Sequence, residues 1–337
     1  MKIAIFTHPL GANYGGILQA WALSTYLESL GHQTVVLNRD NNLPLLKRII
    51  KRVLIAIGHK RYANTKYTEL VRFVKQYINY SKVLSTDRQM RKYIKHHGFD
   101  LVIVGSDQVW RADFARNYGY NYFLDFVPER VKKVSYAASF GLSNWGYNSE
   151  ETIRIVELLS KFVAVSVRED EGVVLCNTFL DTKADHVLDP TLLLSAEDYN
   201  KVTSKRIVSE DYVFVYWLGG EEEKEKALAK SSVNNKLVVD ISLRGNSPLL
   251  SVEDWLSYIK YADAVVTDSF HGCVFSLLFH KTICLSKNDS GGNGRLKSLF
   301  KMLNVDEQEE NFNYDVIDCA LECERIKSYE FIKRVIQ

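Results

Sequence analysis

The stretch AVVTDSFHGCVF, residues 264–275, joins a short apolar run to polar side chains and then to a second apolar run. The first run has the composition of a buried parallel strand, and the second is long enough to begin a helix. Asp268, Ser269 and His271 therefore lie between the end of a strand and the start of a helix. Open α/β sheets bind ligands at this position, and helix N-termini favour anions. A histidine that only caps the helix is the alternative interpretation.

The same succession of apolar strand and polar residues recurs along the whole chain. The pattern predicts strands at residues 2–6, 33–37, 101–104, 133–138, 162–167 and 184–188, and a second series at 212–218, 236–241, 264–266 and 282–285. Helical spacing over residues 17–30 follows the first strand. This alternation predicts an α/β protein with two Rossmann-like, doubly wound domains that face a cleft, as in GT-B-like glycosyltransferases. We place the domains at residues 1–195 and 196–337, with the last helix packing back on the first domain.

Composition excludes several classes of protein. The chain has 337 residues, a net charge of +2 and 46% hydrophobic residues, which is ordinary for a globular protein. No apolar run reaches about 18 residues, so no transmembrane helix is expected. The first residues enter a strand without the features of a signal peptide, which predicts a cytoplasmic location. Five scattered cysteines argue against a disulfide framework, and no histidine near Cys319 and Cys323 completes a zinc site.

One basic block departs from this even charge balance. Residues 45–95 contain 14 Lys or Arg residues against two acidic residues. At helical spacing, residues 45–57 separate an apolar face from a cationic one. Basic amphipathic helices bind anionic membranes, so we predict peripheral contact with the inner face of the membrane through residues 45–61. An ordinary surface helix is the alternative. Nucleic-acid binding is not expected, because no recognisable module accompanies the basic residues.

Two further loops carry candidate site residues. In the loop after the first strand, Gly15 and Gly16 would let a ligand approach the backbone, and Asn13 adds an amide; a tight turn is the alternative. Asp107 and Gln108 follow the strand at residues 101–104, where a carboxylate could accept a proton, hold a sugar hydroxyl or simply cap a helix.

Two arginines are candidates for binding an anion. Arg168 follows the strand at residues 162–167, and its planar guanidinium could bind a carboxylate through two hydrogen bonds. A salt bridge to the acidic residues that follow it is the alternative. Arg295 ends a glycine-rich loop that could fold over an anion or remain a plain surface loop.

Taken together, five ordered segments resemble the polysaccharide pyruvyl transferase family: NYGGILQA (13–20), GSDQVW (105–110), SVRE (166–169), DPT (189–191) and TDSFHG (267–272). The resemblance implies transfer of a pyruvyl group from phosphoenolpyruvate to two hydroxyls of one sugar, with formation of a cyclic ketal and release of phosphate. It implies phosphoenolpyruvate as donor and a glycan acceptor, built on a membrane lipid. Arg168 and His271 match donor-serving positions. Many members carry an arginine where this chain has Ser269.

These expectations define a hypothesis for the site. His271 is the preferred acid–base group, because an imidazole pKa near about 6.5 suits proton transfer in both directions. Asp107 or Asp268 would orient the imidazole or activate a hydroxyl. No metal or other cofactor is required. The remaining substrate-binding candidates are Asn13, Gly15, Gly16, Gln19, Gln108, Arg168, Ser269 and Arg295. A glycosyltransferase that uses a nucleotide sugar and a non-catalytic glycan-binding protein are the alternatives.

Overall fold

The computed structural model describes residues 1–11, 13–39, 65–230, 236–241, 248–285, 293–306 and 312–337. The predicted membrane contact at residues 45–61 lies outside the described residues, so it stays a prediction. No helix within the described ranges is long and apolar enough to cross a membrane.

The first sheet is parallel throughout, as the sequence pattern predicted. Its strand order is β2-β1-β3-β4, and a parallel pair, β5-β6, continues from β4 through isolated bridges. The strands are β1 Lys2–Phe6, β2 Gln33–Val36, β3 Leu101–Val104, β4 Lys132–Ser135, β5 Val165–Val167 and β6 Ala184–His186. Strand β3 is buried along its whole length, which explains its uninterrupted run of leucine, valine and isoleucine.

The second sheet repeats this arrangement. Its order, β8-β7-β9-β10 from one edge, matches the order of the first four strands, and every pairing is parallel. The strands are β7 Tyr212–Tyr216, β8 Leu237–Asp240, β9 Ala264–Thr267 and β10 Thr282–Leu285. In the first sheet the strand order changes direction between the neighbouring strands β1 and β3, and in the second sheet between β7 and β9. The carboxyl ends of these strands are therefore the topological switch points.

Helices cover the sheets. They are α1 Tyr14–Ser29, α2 Thr68–Tyr77, α3 Asp87–His97, α4 Ala112–Ala115, α5 Ser149–Leu159, α6 Asp170–Phe179, α7 Ala196–Asn200, α8 Glu221–Lys230, α9 Val252–Tyr261, α10 Phe270–Leu278, α11 Asn293–Met302 and α12 Tyr314–Ile336. Helix α1 begins three residues before the predicted start at residue 17. The Asn13 side chain accepts a hydrogen bond from the Gly16 N–H and caps the helix, so both glycines are helical.

The two halves of the chain share a hydrophobic core. The Tyr14 ring of α1 stacks on Trp255 of α9 with ring centroids 5.1 Å apart, and the Tyr14 hydroxyl donates to the Leu250 carbonyl. Helix α12 lies against the first half, where the Ser328 hydroxyl accepts from the Leu188 N–H and Arg325 donates to carbonyls of the same segment. One hydrophobic core contains residues from both sides of residue 195 and does not mark a division there. The predicted domain boundary therefore stays a prediction.

Candidate functional site

His271 lies where the N-termini of α1 and α10 meet. Its side chain is almost fully buried, and its ring packs so closely on Gly15 that a Cβ at Gly15 would overlap the imidazole. The imidazole Nε2 lies 3.7 Å from Oδ1 of Asp189 and has no hydrogen-bond partner in the described part of the chain. Gly15 is therefore required for close approach of the two helices, which is a more specific role than the predicted approach of a ligand.

Asp189 is the buried carboxylate that organises this meeting point. Its Oδ2 accepts from Arg168 Nη1 at 2.9 Å and from the Ser106 hydroxyl at 3.1 Å, while its Oδ1 accepts from the hydroxyl and N–H of Thr191. Burial opposes its ionisation, but His271, Arg168 and Thr191 outweigh burial and hold the pKa of Asp189 well below its usual range. Asp189, rather than the predicted Asp107 or Asp268, thus faces the imidazole.

Arg168 presents one unpaired edge of its guanidinium. The side chain is buried, and Nη1 is bound to Asp189, but Nε and Nη2 have no hydrogen-bond partner among the described residues. The nearest carboxylate to that edge is Glu169, whose Oε2 lies 3.9 Å from Nε. The Nε–Nη2 edge has the donor spacing that binds a planar carboxylate through two parallel hydrogen bonds. This edge has no hydrogen bond and could still bind an anion. The alternative prediction, a salt bridge to the acidic residues that follow, is also present, because Nε forms an ion pair with Glu169, and Asp189 binds Nη1.

The Phe270 ring contacts two arginines. The Cζ atom of Arg168 is 4.6 Å from the ring centroid, and the Cζ atom of Arg295, on α11, is 5.8 Å from it. Burial and the neighbouring Arg168 lower the pKa of Arg295 to about 10, so its guanidinium remains charged at neutral pH. Arg295 forms no ion pair with a carboxylate of the described residues, and its buried Nε is unpaired. Two cations thus flank the residue that precedes His271.

Asp107 approaches the same place from the end of β3. Its φ of 69° lies in the left-handed region, and its Oδ1 accepts from the Gln108 N–H at 2.8 Å. Burial opposes its ionisation, but the positive groups around it, with His8 first and then Arg168 and His271, lower the pKa of Asp107. The carboxylate therefore lies within electrostatic reach of both arginine and imidazole.

Other predicted site residues have structural partners instead. Gln19 is fully buried, and its amide donates to Thr7 Oγ1 and to the Gly16 carbonyl while its oxygen accepts from the Ser106 N–H. Gln19 thus joins the loops after β1 and β3 to α1. The Gln108 side-chain oxygen accepts from Arg111 Nη1 at 3.2 Å, which turns it towards a neighbouring loop.

The polar residues after β9 are similarly occupied. The two carboxylate oxygens of Asp268 accept from the N–H groups of Leu218 and Gly219, both at 2.7 Å, so its prediction as a catalytic residue is not supported by its geometry. The Ser269 hydroxyl accepts from the Gly272 N–H and caps α10. Of the residues in this loop, only His271 turns an unpaired polar atom towards the cluster around Asp189.

Unpaired buried polar atoms concentrate in this cluster. Seven such atoms belong to residues that converge here: His8 Nε2, Arg111 Nε, Arg168 Nε and Nη2, Glu169 Oε2, His271 Nε2 and Arg295 Nε. Folded proteins seldom leave buried polar groups unpaired, because each unpaired group costs free energy. The cluster is therefore a candidate binding site, in which an anionic ligand would supply acceptors for the arginine and imidazole N–H groups that lack a hydrogen bond.

Sequence reasoning missed several members of this site. Asp189 and Glu169 follow β6 and β5, so the rule that located Asp107 could have located them too. His8 follows β1 in the same way. Phe270 carried no such signal, because a phenylalanine beside a histidine is typical of a core. No group of His, Cys, Asp and Glu side chains suitable for a metal ion occurs within the described residues.

Comparison with known proteins agrees with this architecture. A Listeria monocytogenes structure described as a UDP-N-acetylglucosamine 2-epimerase is similar at 11% identity and a TM-score of 0.55, over 100% of this chain and 90% of that one. The S. aureus MnaA–UDP co-structure has 11% identity and a TM-score of 0.52, over 95% and 87% of the two chains. An α-glucosyltransferase (AGT) in complex with UDP is similar at a TM-score of only 0.46, with 11% identity over 99% and 96%.

Fold and site together define a GT-B-like α/β protein with a polar cluster between its two sheets. The sequence pattern of the family named "Polysaccharide pyruvyl transferase" matches residues 13–286, which is most of the chain. The protein belongs to the polysaccharide pyruvyl transferase family, as the ordered segments predicted. No curated protein sequence matches the chain.

Proposed function

We propose that this protein transfers the pyruvyl group of phosphoenolpyruvate to two hydroxyls of one sugar in a cell-surface polysaccharide precursor. The products are a cyclic ketal and inorganic phosphate. The family is a transferase family, and the observation that carries the proposal is the unpaired Nε–Nη2 edge of Arg168 beside Arg295 and His271. Phosphoenolpyruvate has a carboxylate and a phosphate, and these cations supply one partner for each.

Donor binding follows from the geometry of the two arginines. Arg168 is immobilised by its bond to Asp189, so its open edge is oriented before the ligand arrives. Arg295 is charged and lacks a carboxylate partner among the described residues, which makes a phosphate a favourable neighbour. Both guanidinium groups lie within 5.8 Å of the Phe270 centroid, which supports binding of one small dianionic or trianionic molecule by the pair.

His271 is the proposed acid–base group. Asp189 Oδ1 lies 3.7 Å from Nε2, and the Nδ1 side of the ring packs on Gly15, so these two contacts fix the orientation of the imidazole. We propose that the imidazolium donates the first proton. In the first step the methylene carbon of phosphoenolpyruvate accepts a proton and becomes a methyl group, while the central carbon develops positive charge. A sugar hydroxyl then adds to the central carbon and loses its proton to a base. Asp189 orients the imidazole and stabilises its protonated form.

The second half of the reaction closes the ketal. The bond between the central carbon and the phosphate oxygen breaks, and phosphate leaves with both electrons. A second hydroxyl of the same sugar then adds to that carbon and releases its proton. Asp107, whose lowered pKa keeps it ionised at neutral pH, is the proposed base for the hydroxyls. In this proposal the acceptor is a lipid-linked glycan, and a cytoplasmic enzyme reaches it at the membrane through residues 45–61.

The donor is tested first by binding. We expect phosphoenolpyruvate to raise the melting temperature of the wild-type protein and of His271→Ala, because histidine is proposed to act in chemistry more than in binding. Arg168→Lys should lose most of the stabilisation, since an ammonium keeps the charge but not the two parallel donors. Stabilisation by UDP and none by phosphoenolpyruvate would instead indicate a nucleotide-sugar donor.

Turnover is tested by phosphate release in the presence of an acceptor glycan. Folded His271→Ala and Arg168→Lys should each lose at least about 10²-fold in rate, as is typical when a positioned proton-transfer group is removed. Near-normal phosphate release by either folded variant would contradict the role proposed for the substituted residue.

A further inference from the structure

A second group of residues lies next to the loop that carries Asp107, since the Arg111 N–H donates to the Gln108 carbonyl at 3.2 Å. Phe114 of α4 is a large apolar side chain with 39% of its surface exposed. The ring of His8 meets it edge-on with centroids 5.6 Å apart, and the Cζ atom of Arg111 lies 4.9 Å from its centroid. We call these three residues, His8, Arg111 and Phe114, the aromatic rim.

Polar atoms of the rim are held in place but are not all satisfied. His8 Nδ1 is 2.9 Å from the Tyr122 hydroxyl, which fixes the orientation of the imidazole. The opposite nitrogen, Nε2, is buried and has no hydrogen-bond partner among the described residues, whereas Arg111 Nε forms an ion pair with Asp113 Oδ2 at 3.5 Å. His8 also contributes to the lowered pKa of Asp107, where burial acts in the opposite direction, so the imidazole and the carboxylate are near neighbours.

Asp107 connects the rim to the donor site. The Thr7 hydroxyl, beside His8, donates to the Ser106 carbonyl next to Asp107 at 3.1 Å. The positive groups that lower the pKa of Asp107 against burial are His8, Arg168 and His271. A molecule against Phe114 would therefore lie near the Asp107 loop, and Asp107 and His271 both lie against the first turn of α1, at Gly16 and Gly15 respectively.

A pyranose ring has the chemistry that such a rim recognises. One face of the ring presents C–H groups that pack on an aromatic surface, and its edge presents hydroxyls that need donors and acceptors. We propose that the aromatic rim is the subsite for the acceptor sugar, with the ring against Phe114 and two hydroxyls directed to His8 Nε2 and Asp107. This inference rests on the proposed function, because only a ketal-forming reaction needs two hydroxyls of one sugar at the same carbon.

Phe179 of α6 provides a matched control. It is 40% exposed, almost the same as Phe114, but its ring stacks on Trp145 with centroids 4.9 Å apart. It has a similar apolar surface in the same half of the chain and lies outside the cluster of unpaired polar atoms. A generic effect of removing an exposed phenylalanine would appear in Phe179→Ala as well as in Phe114→Ala.

The experiment measures sugar binding by saturation-transfer difference NMR with methyl pyranosides of hexoses and N-acetylhexosamines as probes. We expect wild-type protein and Phe179→Ala to transfer saturation to the C–H protons of one ring face of at least one probe. Phe114→Ala should bind that probe about three- to tenfold more weakly, as expected for loss of an aromatic contact, and Phe114→Trp should restore binding. Phosphoenolpyruvate binding, followed by thermal shift, should be the same in all four proteins.

Two results would overturn the inference: no pyranoside binding by wild-type protein that binds phosphoenolpyruvate, or equal binding by Phe114→Ala and wild type. The failure of the proposed function has a different signature. Sugar binding that depends on Phe114, without any binding of phosphoenolpyruvate, would support the acceptor subsite and exclude phosphoenolpyruvate as the donor.

Discussion

The two halves of the chain have the same strand order, but their switch points differ in how polar groups are paired. In the second half, Asp268 follows β9 and accepts from the N–H groups of Leu218 and Gly219 after β7, so its carboxylate ties the two strand ends together. In the first half, Asp107 follows β3 and His8 follows β1, and His8 Nε2 is buried without a partner in the described part of the chain.

The difference separates a carboxylate that is paired within the fold from an imidazole nitrogen that is not. A buried carboxylate that accepts two backbone N–H bonds stabilises the fold, because its charge is satisfied within the protein. Buried donors without partners do the reverse: they cost free energy until a ligand binds. The comparison teaches that position at a strand end identifies candidates for a site, and that unpaired atoms distinguish the candidates that face a ligand.

The largest expected effect comes from the place where the two halves meet. Gly15→Ala puts a Cβ into the imidazole of His271, so either the ring or α1 must move. A displacement of about 1 Å at a catalytic group can cost roughly 10²-fold in rate, and we expect at least that loss in phosphate release. The measurement is kcat/KM for phosphoenolpyruvate with a fixed acceptor.

Gly16→Ala is the control for this change, since it lies one residue further in the same helical turn. A Cβ there would lie 3.5 Å from Asp107 Oδ2, which is an ordinary contact, so we expect a far smaller loss. Equal losses in both variants would show that helix α1, and not its contact with His271, limits activity.

Asparagine at each of the two aspartates tests the comparison directly. Asp107→Asn keeps a residue type that tolerates the left-handed backbone, so the fold should remain intact while the rate falls by about 10²–10⁴-fold. Asp268→Asn places an amide group opposite a backbone N–H and should lower the free energy of unfolding by about 1–3 kcal/mol. Urea denaturation and phosphate release measure the two effects separately.

These expectations are opposite for the two variants. If Asp268→Asn loses activity while its stability is unchanged, Asp268 returns to the catalytic set and the distinction between the two switch points is wrong. If Asp107→Asn is as active as wild type, another group takes the hydroxyl proton.

The smallest effect is expected at Ser269. Its hydroxyl caps α10, so Ser269→Ala should lower the free energy of unfolding by about 1 kcal/mol and leave the affinity for phosphoenolpyruvate unchanged. Ser251→Ala removes the corresponding cap of α9 in the same half of the chain and is the matched control. A loss of affinity confined to Ser269→Ala would restore Ser269 as a substrate-binding residue.

Much of the fold was predictable because parallel strands and their helices have local signatures. The strands at residues 101–104 and 282–285 were predicted with the observed bounds, and the GT-B-like class and the family were confirmed. Boundaries were less exact where irregular chain precedes a strand: residues 162–164 lie before β5, which begins at Val165. Apolar composition alone does not show at which residue hydrogen bonding to the neighbouring strand begins.

The site was predictable only in part. Arg168, His271 and Asp107 were found from strand ends and from the family segments, and the structure brings them together. Asp189 was not given a role, because its bond to Arg168 depends on the pairing of β5 with β6. Gln19 was assigned to a ligand, although its amide is fully used inside the protein.

By itself, the sequence determined the alternation of strands and helices, the polar residues at strand ends and the family. These properties are local, since they depend on side-chain periodicity and on the order of short segments. Only the tertiary structure decided which polar residues meet in the cluster around Asp189 and which have hydrogen-bond partners elsewhere in the protein. Contacts such as His271 on Gly15, or Arg295 beside Phe270, join segments that are separated along the chain, and they form because α1 meets α10 and α10 packs on α11.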